Sequence, residues 1–291
     1  MGRVGLWTRH LDIQPAERVR STVAELEELG WGSLWSWEVF GREALTNAGL
    51  LLSATRRMVV GTGIASIWAR DPVAMAAAQR TLAEAYPDRF VLGIGVSHAP
   101  IVDARGHRYD RPLEAMRAYL DAMDAAPWQG PPLAEAPVRV LAALGPRMLE
   151  LAAERSAGAL LYNNPPEATA AARSVVGAGP LLAAEQAAVV EDDPAEARRI
   201  GREFIAFYLT LPNYVRAWER AGFGPEERAD GGSDRMVDAV VAWGGPEAIA
   251  ERVRAHLDAG ADHVCLQVLE SDPNGLPLAG WRALAPALVG H

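Results

Sequence analysis

The sequence has few cysteines and no long hydrophobic run. It contains one cysteine, Cys265, so a disulfide framework is excluded. Because Cys265 lies inside the apolar run 263–269, it is predicted to be a small core residue rather than a nucleophile. The N-terminal residues lack the continuous apolar stretch of a secretory signal, and no run is long enough to span a bilayer. These absences predict a location in the reducing cytoplasm.

Excess positive charge and metal-ligand clusters are also missing. The formal net charge of −9 argues against a nucleic-acid surface or contact with an anionic membrane, although a local basic pocket for a phosphate would be compatible with it. His10, His98 and His107 share one region at most, and no His or Cys pair has metal-ligand spacing. We therefore expect no metal site.

The sequence instead repeats a strand followed by a helix along nearly its whole length. Half of its 291 residues are hydrophobic, which is ample for one large core. The apolar runs predict eight strands, and eight strand–helix units favour a single α/β domain, a (β/α)₈ TIM barrel over residues 1–291, rather than an open sheet. The predicted strands are 4–7, 33–37, 58–64, 90–95, 138–142, 159–162, 181–190 and 262–269.

One segment departs from this rhythm. Residues from about 210 to 235 form a long aromatic and glycine-rich stretch between a predicted helix and the last strand–helix unit. An insertion of this length in a compact barrel is usually a lid, a subunit contact or a mobile segment. The sequence leaves these three alternatives open.

The chemistry of such a barrel lies at the carboxyl ends of its strands, so these positions are the candidate site. Two of them resemble anion sites. One is a strand-to-helix junction with Gly145 followed by Pro146, Arg147 and Met148, and the other is the turn from Gly95 to His98. Each could also be a structural turn.

The run GTGIASIWARDPVAMAAAQRTLAEAYPDRFVLGIGVSH resembles the central segment of the bacterial luciferase-like superfamily, specifically its coenzyme F420 (deazaflavin)-dependent oxidoreductases. The segments TVAELEELGWGSLW, VLAALGPRMLELAAERSAGALLY and AIAERVRAHLDAGADHVCLQV extend the resemblance over nearly the whole chain. The resemblance implies hydride transfer between the deazaflavin and a small organic substrate. Two alternatives are an FMN-dependent monooxygenase and a catalytically inactive flavin-binding accessory protein.

The resemblance also implies which residues bind the coenzyme. The Gly63–Ile64 peptide, followed by Ala65, falls where deazaflavin-dependent members carry a non-prolyl cis peptide that supports the central ring. Gly95, Val96 and Ser97 match the loop beside the ring. The loop that holds the phosphate is matched by Gly145, Pro146, Arg147 and Met148. Tyr162 and Asn163 match the strand end that completes the pocket.

Two residues are candidates for moving a proton. Glu38 matches an acid that follows the second strand in several relatives, but the next position, often His in those relatives, is Val39 here. His98 occupies a position where related enzymes place an acid, so we name His98 first and Glu38 second. Glu38 could instead cap the second helix or pair with Arg42, and His98 could be a solvated loop residue.

Several further predictions concern polar strand residues, aromatic residues and assembly. Glu185, Gln186 and Gln267 could contact a ligand or satisfy an internal polar layer of the barrel. Alternation places Trp35 and Trp37 on the same side of their strand, where they could wall a flat ring or pack in the core. The apolar helices 42–55 and 72–86, which resemble the contact region of dimeric relatives, predict a homodimer.

Overall fold

The computed structural model describes residues 1–290 and shows a closed barrel of parallel strands surrounded by helices. Eight strands form the ring in the order β1-β2-β3-β5-β6-β7-β8-β10, and β10 pairs again with β1. The predicted (β/α)₈ barrel is confirmed. The strands are β1 (Val4–Thr8), β2 (Ser33–Ser36), β3 (Val59–Thr62), β4 (Ala65–Ser66), β5 (Phe90–Gly95), β6 (Val138–Ala142), β7 (Gly158–Leu161), β8 (Leu181–Val189), β9 (Val241–Trp243) and β10 (His263–Leu269).

Two short strands, β4 and β9, were not predicted from the sequence. The predicted strand 58–64 ends at Thr62, and after a break the chain pairs again as β4, along the end of β5. The three-residue β9 pairs with the end of β8. Both strands are too short to show an alternation of apolar and polar residues, and such short strands cannot be predicted from periodicity.

The start of α3 has the capping residues that the sequence predicts. Asp71 accepts hydrogen bonds from the backbone N–H groups of Val73 and Ala74, both at 2.9 Å, and Pro72 occupies the first helical position of α3. The helices are α1 (Ala16–Glu28), α2 (Ala44–Ser53), α3 (Pro72–Ala85), α4 (Ala99–Ala104), α5 (Pro112–Asp124), α6 (Pro146–Arg155), α7 (Pro166–Val176), α8 (Pro194–Leu209), α9 (Pro212–Arg220), α10 (Pro225–Arg228), α11 (Asp234–Val240), α12 (Pro246–Asp258) and α13 (Leu278–Leu288). Among residues 1–290, none of the helices combines the length and apolarity required to cross a membrane.

The insertion is mostly helical and packs on the barrel. It contains α9 and α10 and the start of α11. Leu211, Tyr214, Trp218 and Phe223 are buried in one cluster with residues of α8 and β8. The predicted long loop after β5 likewise contains the short helix α4. Both segments therefore form the upper wall of the barrel.

The barrel interior is filled by side chains from alternating strand positions. Trp7, Trp35 and Cys265 belong to this inner cluster, and the prediction that Cys265 is a core residue is confirmed. The Trp35 indole N–H donates to His263 Nε2 at 3.1 Å, so His263 Nδ1 carries the proton and donates to the Gly2 carbonyl at 2.9 Å. Burial lowers the pKa of His263 to about 4, which keeps this imidazole neutral.

Gln186 belongs to a second buried network between the sheet and the outer helices. Its amide nitrogen donates to the carbonyls of Ala187 and Val240, and its amide oxygen lies 2.8 Å from His256 Nε2. Thr169 Oγ1 lies 2.8 Å from His256 Nδ1. These bonds satisfy the polar atoms of Gln186, which supports the interpretation of Gln186 as a structural residue.

Glu185 is the one carboxyl group in the barrel interior next to Cys265 and the neighbouring tyrosines, and only 1% of its surface is exposed. One carboxyl oxygen accepts a hydrogen bond from the Asn163 backbone N–H at 2.8 Å, and the other oxygen has no partner within residues 1–290. Desolvation raises the pKa of Glu185 to about 8. Glu185 is therefore largely protonated at neutral pH.

We expect Glu185→Gln to stabilise the protein increasingly as pH rises. Folding raises the pKa of Glu185 from its ordinary value of 4.5 to about 8, so between these pH values the unfolded chain has released a proton that the folded chain retains. Stability is thus lost with rising pH in wild type. The amide still accepts the Asn163 bond but cannot ionise, so the gain should reach about 2 to 4 kcal/mol near pH 8.

Urea unfolding of both proteins at intervals from about pH 5 to about pH 8 measures this gain. The exposed Glu84 on α3 provides the matched control, since Glu84→Gln removes the same charge without changing a buried group. A gain for Glu185→Gln that is equal at all pH values would contradict burial of an ionisable carboxyl as the cause.

Candidate active site

A cavity of about 1150 Å³ lies at the carboxyl ends of the barrel strands, between the strand ends and the insertion. This is the edge of the barrel at which a site was predicted. Twelve of the fourteen predicted site residues line this cavity. They are Glu38, Gly63, Ile64, Gly95, Val96, Ser97, His98, Gly145, Pro146, Arg147, Met148 and Tyr162.

Ala65 and Asn163 do not line the cavity, in contrast to the prediction. Ala65 is fully buried in β4. The backbone of Asn163 adopts a left-handed conformation, with φ of 57°, and its N–H and carbonyl group bond to Glu185 and Trp218. Asn163 thus joins the barrel interior to the insertion, a role that depends on residues distant in sequence.

A backbone ridge at Gly63–Ile64 forms the floor of the cavity. The peptide bond is cis, as predicted, and the Gly63 carbonyl accepts a hydrogen bond from the Trp7 indole N–H at 3.0 Å. A Cβ atom on Gly63 would lie 2.5 Å from Trp7 Nε1, and one on Gly95 would lie 2.9 Å from Ile64 Cγ1. Both positions therefore require glycine for the close packing of the ridge.

Glu38 braces this ridge through three partners. Its carboxylate accepts hydrogen bonds from the backbone N–H groups of Ser66 at 2.8 Å and Ala44 at 3.2 Å, and it forms an ion pair with Arg70. Glu38 thus interacts with the start of α2, as expected if it caps the second helix. It pairs with Arg70 rather than with Arg42. These contacts favour a positioning role for Glu38.

The loop after β5 is held in a similar way. The Trp68 indole N–H donates to the Val96 carbonyl at 2.9 Å, and the Trp68 backbone N–H bonds to Ser66 Oγ at 3.3 Å. Ser97 follows in a left-handed conformation, with φ of 57°. The ridge and the loop are therefore parts of one hydrogen-bonded unit that includes Glu38.

His98 lies partly buried between this loop and the insertion. Its ring packs against Tyr214 with centroids 5.5 Å apart, and its Nδ1 is 3.5 Å from the side-chain nitrogen of Asn213. If Asn213 donates to Nδ1, the proton of the imidazole is on Nε2. Burial lowers the pKa of His98 to about 4, so the side chain is a neutral hydrogen-bond donor at physiological pH.

Positive charge is concentrated at the end of the cavity nearest α6. Gly145 caps this helix, and Arg147 and Arg216 line the cavity without a carboxylate partner within residues 1–290. Arg220 donates to the Leu144 carbonyl at 2.7 Å and lies next to Gly145. A helix N-terminus with nearby guanidinium groups favours an anion such as a phosphate.

A second cavity of about 610 Å³ adjoins the first. Trp37, Tyr162, Phe207 and Tyr208 line both cavities, so they form a shared aromatic wall. The Tyr162 hydroxyl lies 2.8 Å from Gln267 Oε1 and 2.9 Å from the Tyr208 hydroxyl. Trp37 and Tyr162 each contact Trp7, at ring distances of 6.0 and 5.2 Å.

Sequence reasoning missed the residues that the end of α8 and the insertion contribute to the first cavity, although the aromatic content of this region was a signal. They are Phe207, Tyr208, Thr210, Leu211, Pro212, Asn213, Tyr214 and Arg216. Over residues 1–290, no three His, Cys, Asp or Glu side chains are grouped in a way that could hold a metal ion.

The first cavity fits a flat ring with a phosphate-bearing side chain. The ridge offers a floor that any Cβ at Gly63 or Gly95 would disturb, the aromatic wall offers apolar surface, and the arginine-rich end offers charge. The residues that would hold such a coenzyme are therefore those of the ridge, the loop after β5 and the start of α6.

Comparison with known proteins gives relatives that agree with this geometry. A Mycobacterium tuberculosis protein provisionally named coenzyme F420-dependent oxidoreductase is 32% identical over 120 residues, which cover 41% of this chain and 35% of that protein. The 5,10-methylenetetrahydromethanopterin reductase of Methanolobus tindarius is 24% identical over 309 aligned positions, covering 91% of each chain.

Two solved structures show the same fold. Coenzyme F420-dependent tetrahydromethanopterin reductase from Methanopyrus kandleri aligns with a TM-score of 0.78 at 17% identity, over 99% of both chains. The FMN complex of the oxygenating constituent of 3,6-diketocamphane monooxygenase from Pseudomonas putida aligns with a TM-score of 0.71 at 17% identity, over 98% of this chain and 96% of that chain.

The family model for luciferase-like monooxygenases matches residues 3–263, which is most of the chain. The match spans the ridge, the loop after β5, the start of α6 and most of the barrel. The chain therefore belongs to the luciferase-like monooxygenase family.

Proposed function

We propose that the protein is a coenzyme F420-dependent oxidoreductase that transfers a hydride between the deazaflavin ring and a small organic substrate. The observation that carries the proposal is the ridge at Gly63–Ile64, where the packing of Trp7 and Ile64 leaves no room for a Cβ atom on Gly63 or Gly95. The relatives whose names include coenzyme F420 add support.

The residues of the first cavity have separate tasks in this proposal. The ridge and Gly95 support one face of the ring, and Glu38 with Arg70 keeps the ridge in place. The start of α6 with Arg147 and Arg216 holds the phosphate. When bound, the deazaflavin would supply the hydride chemistry, and the aromatic wall would exclude water from the cavity around it.

His98 is the residue proposed to assist proton transfer. Since its pKa is about 4, the neutral imidazole donates a hydrogen bond through Nε2 to a substrate oxygen or nitrogen on which negative charge develops. As that charge grows, the proton moves more readily toward the substrate. Asn213 and Tyr214 fix the ring for this task.

An FMN-dependent monooxygenase is the second candidate, and the likeness to the FMN complex from Pseudomonas putida favours it. Both coenzymes need a ring floor and a phosphate site. A catalytically inactive flavin-binding protein is the third reading, and absence of turnover with either coenzyme on a panel of alcohols, imines and enones would support it.

The first prediction of the proposal concerns the coenzyme. We expect binding of coenzyme F420 at about micromolar dissociation constant and weaker binding of FMN, measured by fluorescence titration. Gly95→Leu should weaken the binding of coenzyme F420 by at least about tenfold, because a side chain at this position would clash with Ile64 and Ala142.

Gly179→Leu is the matched control, because a Cβ atom at Gly179 meets no other atom within 4 Å. Tighter binding of FMN than of coenzyme F420 would overturn the assignment of the coenzyme. Equal affinity of wild type and Gly95→Leu would remove Gly95 from the binding site.

The second prediction concerns His98. His98→Ala should lower turnover by about 10² to 10³-fold, the typical effect of removing one donor to developing charge, and should leave coenzyme affinity nearly unchanged. Because the pKa of His98 is about 4, its titration should leave the wild-type rate flat above about pH 6.

Glu38→Gln should instead weaken coenzyme binding or stability more than turnover, since Glu38 braces the ridge. His107→Ala removes an exposed histidine and is the control. Full turnover by His98→Ala, with hydride transfer shown to be rate-limiting, would exclude His98 as the proton partner.

We also propose that the protein assembles as a homodimer through α2 and α3. Most large apolar side chains of α2 are buried against the barrel, whereas Val73 on α3 is 46% exposed. Light scattering at micromolar concentration should give the mass of a dimer, and Val73→Asp should shift it toward monomer. Val175→Asp, on α7 at 37% exposure, is the control; a monomeric wild type would refute the proposal.

A further inference from the structure

We propose that the second cavity is the substrate chamber and that the Gln267 amide selects an uncharged, largely apolar carbonyl compound within it. This inference rests on the proposed function, because it assigns the substrate of that hydride transfer. It adds a binding site and a substrate class that lie outside the first cavity.

The position of the second cavity supports a substrate chamber. Its volume of about 610 Å³ is suited to a small organic molecule, and it shares only the aromatic wall and a few loop residues with the first cavity. A molecule in the second cavity would therefore lie next to a ring bound in the first. Ile200, Phe204 and Leu269 line the second cavity alone and give it a mostly apolar surface.

Gln267 provides the polar contact in this apolar surface. The side chain is 2% exposed, and its amide oxygen accepts the hydrogen bond from the Tyr162 hydroxyl at 2.8 Å. The amide nitrogen makes no hydrogen bond within residues 1–290, although Gln267 lines the second cavity. A donor that faces a cavity without a protein partner is available to an acceptor atom on a ligand.

The charged groups around the chamber favour an uncharged ligand. Arg9 donates to the Pro273 carbonyl and packs on the Trp37 ring, and its positive charge remains at the cavity because neither partner is a carboxylate. Glu203, which pairs with Arg199, and Glu270 also line the cavity, and their carboxyl groups would repel an anion. A cation would meet Arg9 and the positive end of the Gln267 amide dipole. A carbonyl oxygen accepts from Gln267 without either penalty.

Fluorine NMR titrations with three aromatic probes of similar size test the proposal on the protein without coenzyme. The probes are para-fluoroacetophenone, para-fluorobenzylammonium and para-fluorobenzoate, which are neutral, positive and negative. We expect the ketone to bind most tightly, by about tenfold over each charged probe. Tighter binding of the ammonium or the benzoate would overturn the assigned substrate class.

Two variants locate the binding. Gln267→Leu should weaken the binding of the ketone by about tenfold, because one hydrogen bond to the ligand is lost. Leu269→Trp should prevent binding of the ketone, because the larger side chain fills the chamber. Both variants should bind coenzyme F420 within about twofold of wild type. Gln129→Leu, an exposed position outside both cavities, is the matched control.

The results separate this inference from the proposed function. Ketone binding unchanged in both variants would refute the chamber, and an equal loss of ketone and coenzyme would place Gln267 in the coenzyme site instead. Failure of wild type to bind coenzyme F420 would refute the proposed function, while the ketone titrations would still decide whether the chamber binds carbonyl compounds. Melting temperatures confirm that each variant is folded.

Discussion

The ridge at Gly63–Ile64 is the constraint on which the site depends. Trp7 packs against Gly63, and Gly95 packs against Ile64. The Glu38 carboxylate accepts a hydrogen bond from the Ser66 backbone N–H, close to the ridge. A buried carboxylate is costly unless it is paired, and Glu38 is paired with Arg70 and with backbone N–H groups of two separate segments. One side chain therefore fixes β2, β4 and the start of α2 relative to each other.

The insertion forms one side of the cavity at the carboxyl ends of the strands. Its α9 residue Trp218 donates a hydrogen bond to the Asn163 carbonyl, and Tyr214 packs against Tyr208 and His98. The strand end after β7 is thus joined to the roof of the cavity. The segment lines the cavity with packed aromatic residues rather than with a loose loop, and a role as a lid, as a subunit contact or as a mobile segment stays a prediction.

Polar groups within the barrel serve different purposes. Gln186 and His263 have satisfied hydrogen bonds and support the packing of strands. Glu185 retains one oxygen without a partner within residues 1–290, and its burial raises the pKa of the carboxyl group to about 8, which favours the neutral form. Gln267 lies in the same strand as Cys265 but near its carboxyl end, where its amide reaches a cavity rather than the core.

The sequence by itself determined the barrel and most of the floor of the site. Its eight apolar runs, the Asp71-Pro72 helix start and the glycines at 63, 95 and 145 are local features, and local periodicity and backbone requirements can be read without knowing distant contacts. Only the tertiary structure decided that Glu38 pairs with Arg70, that the Asn163 backbone bonds to Glu185, and that Tyr208 and Gln267 both lie within hydrogen-bond distance of the Tyr162 hydroxyl. The physical reason is that these side chains acquire their hydrogen bonds and their burial from residues 22 to 105 positions away, which come together only when the barrel closes.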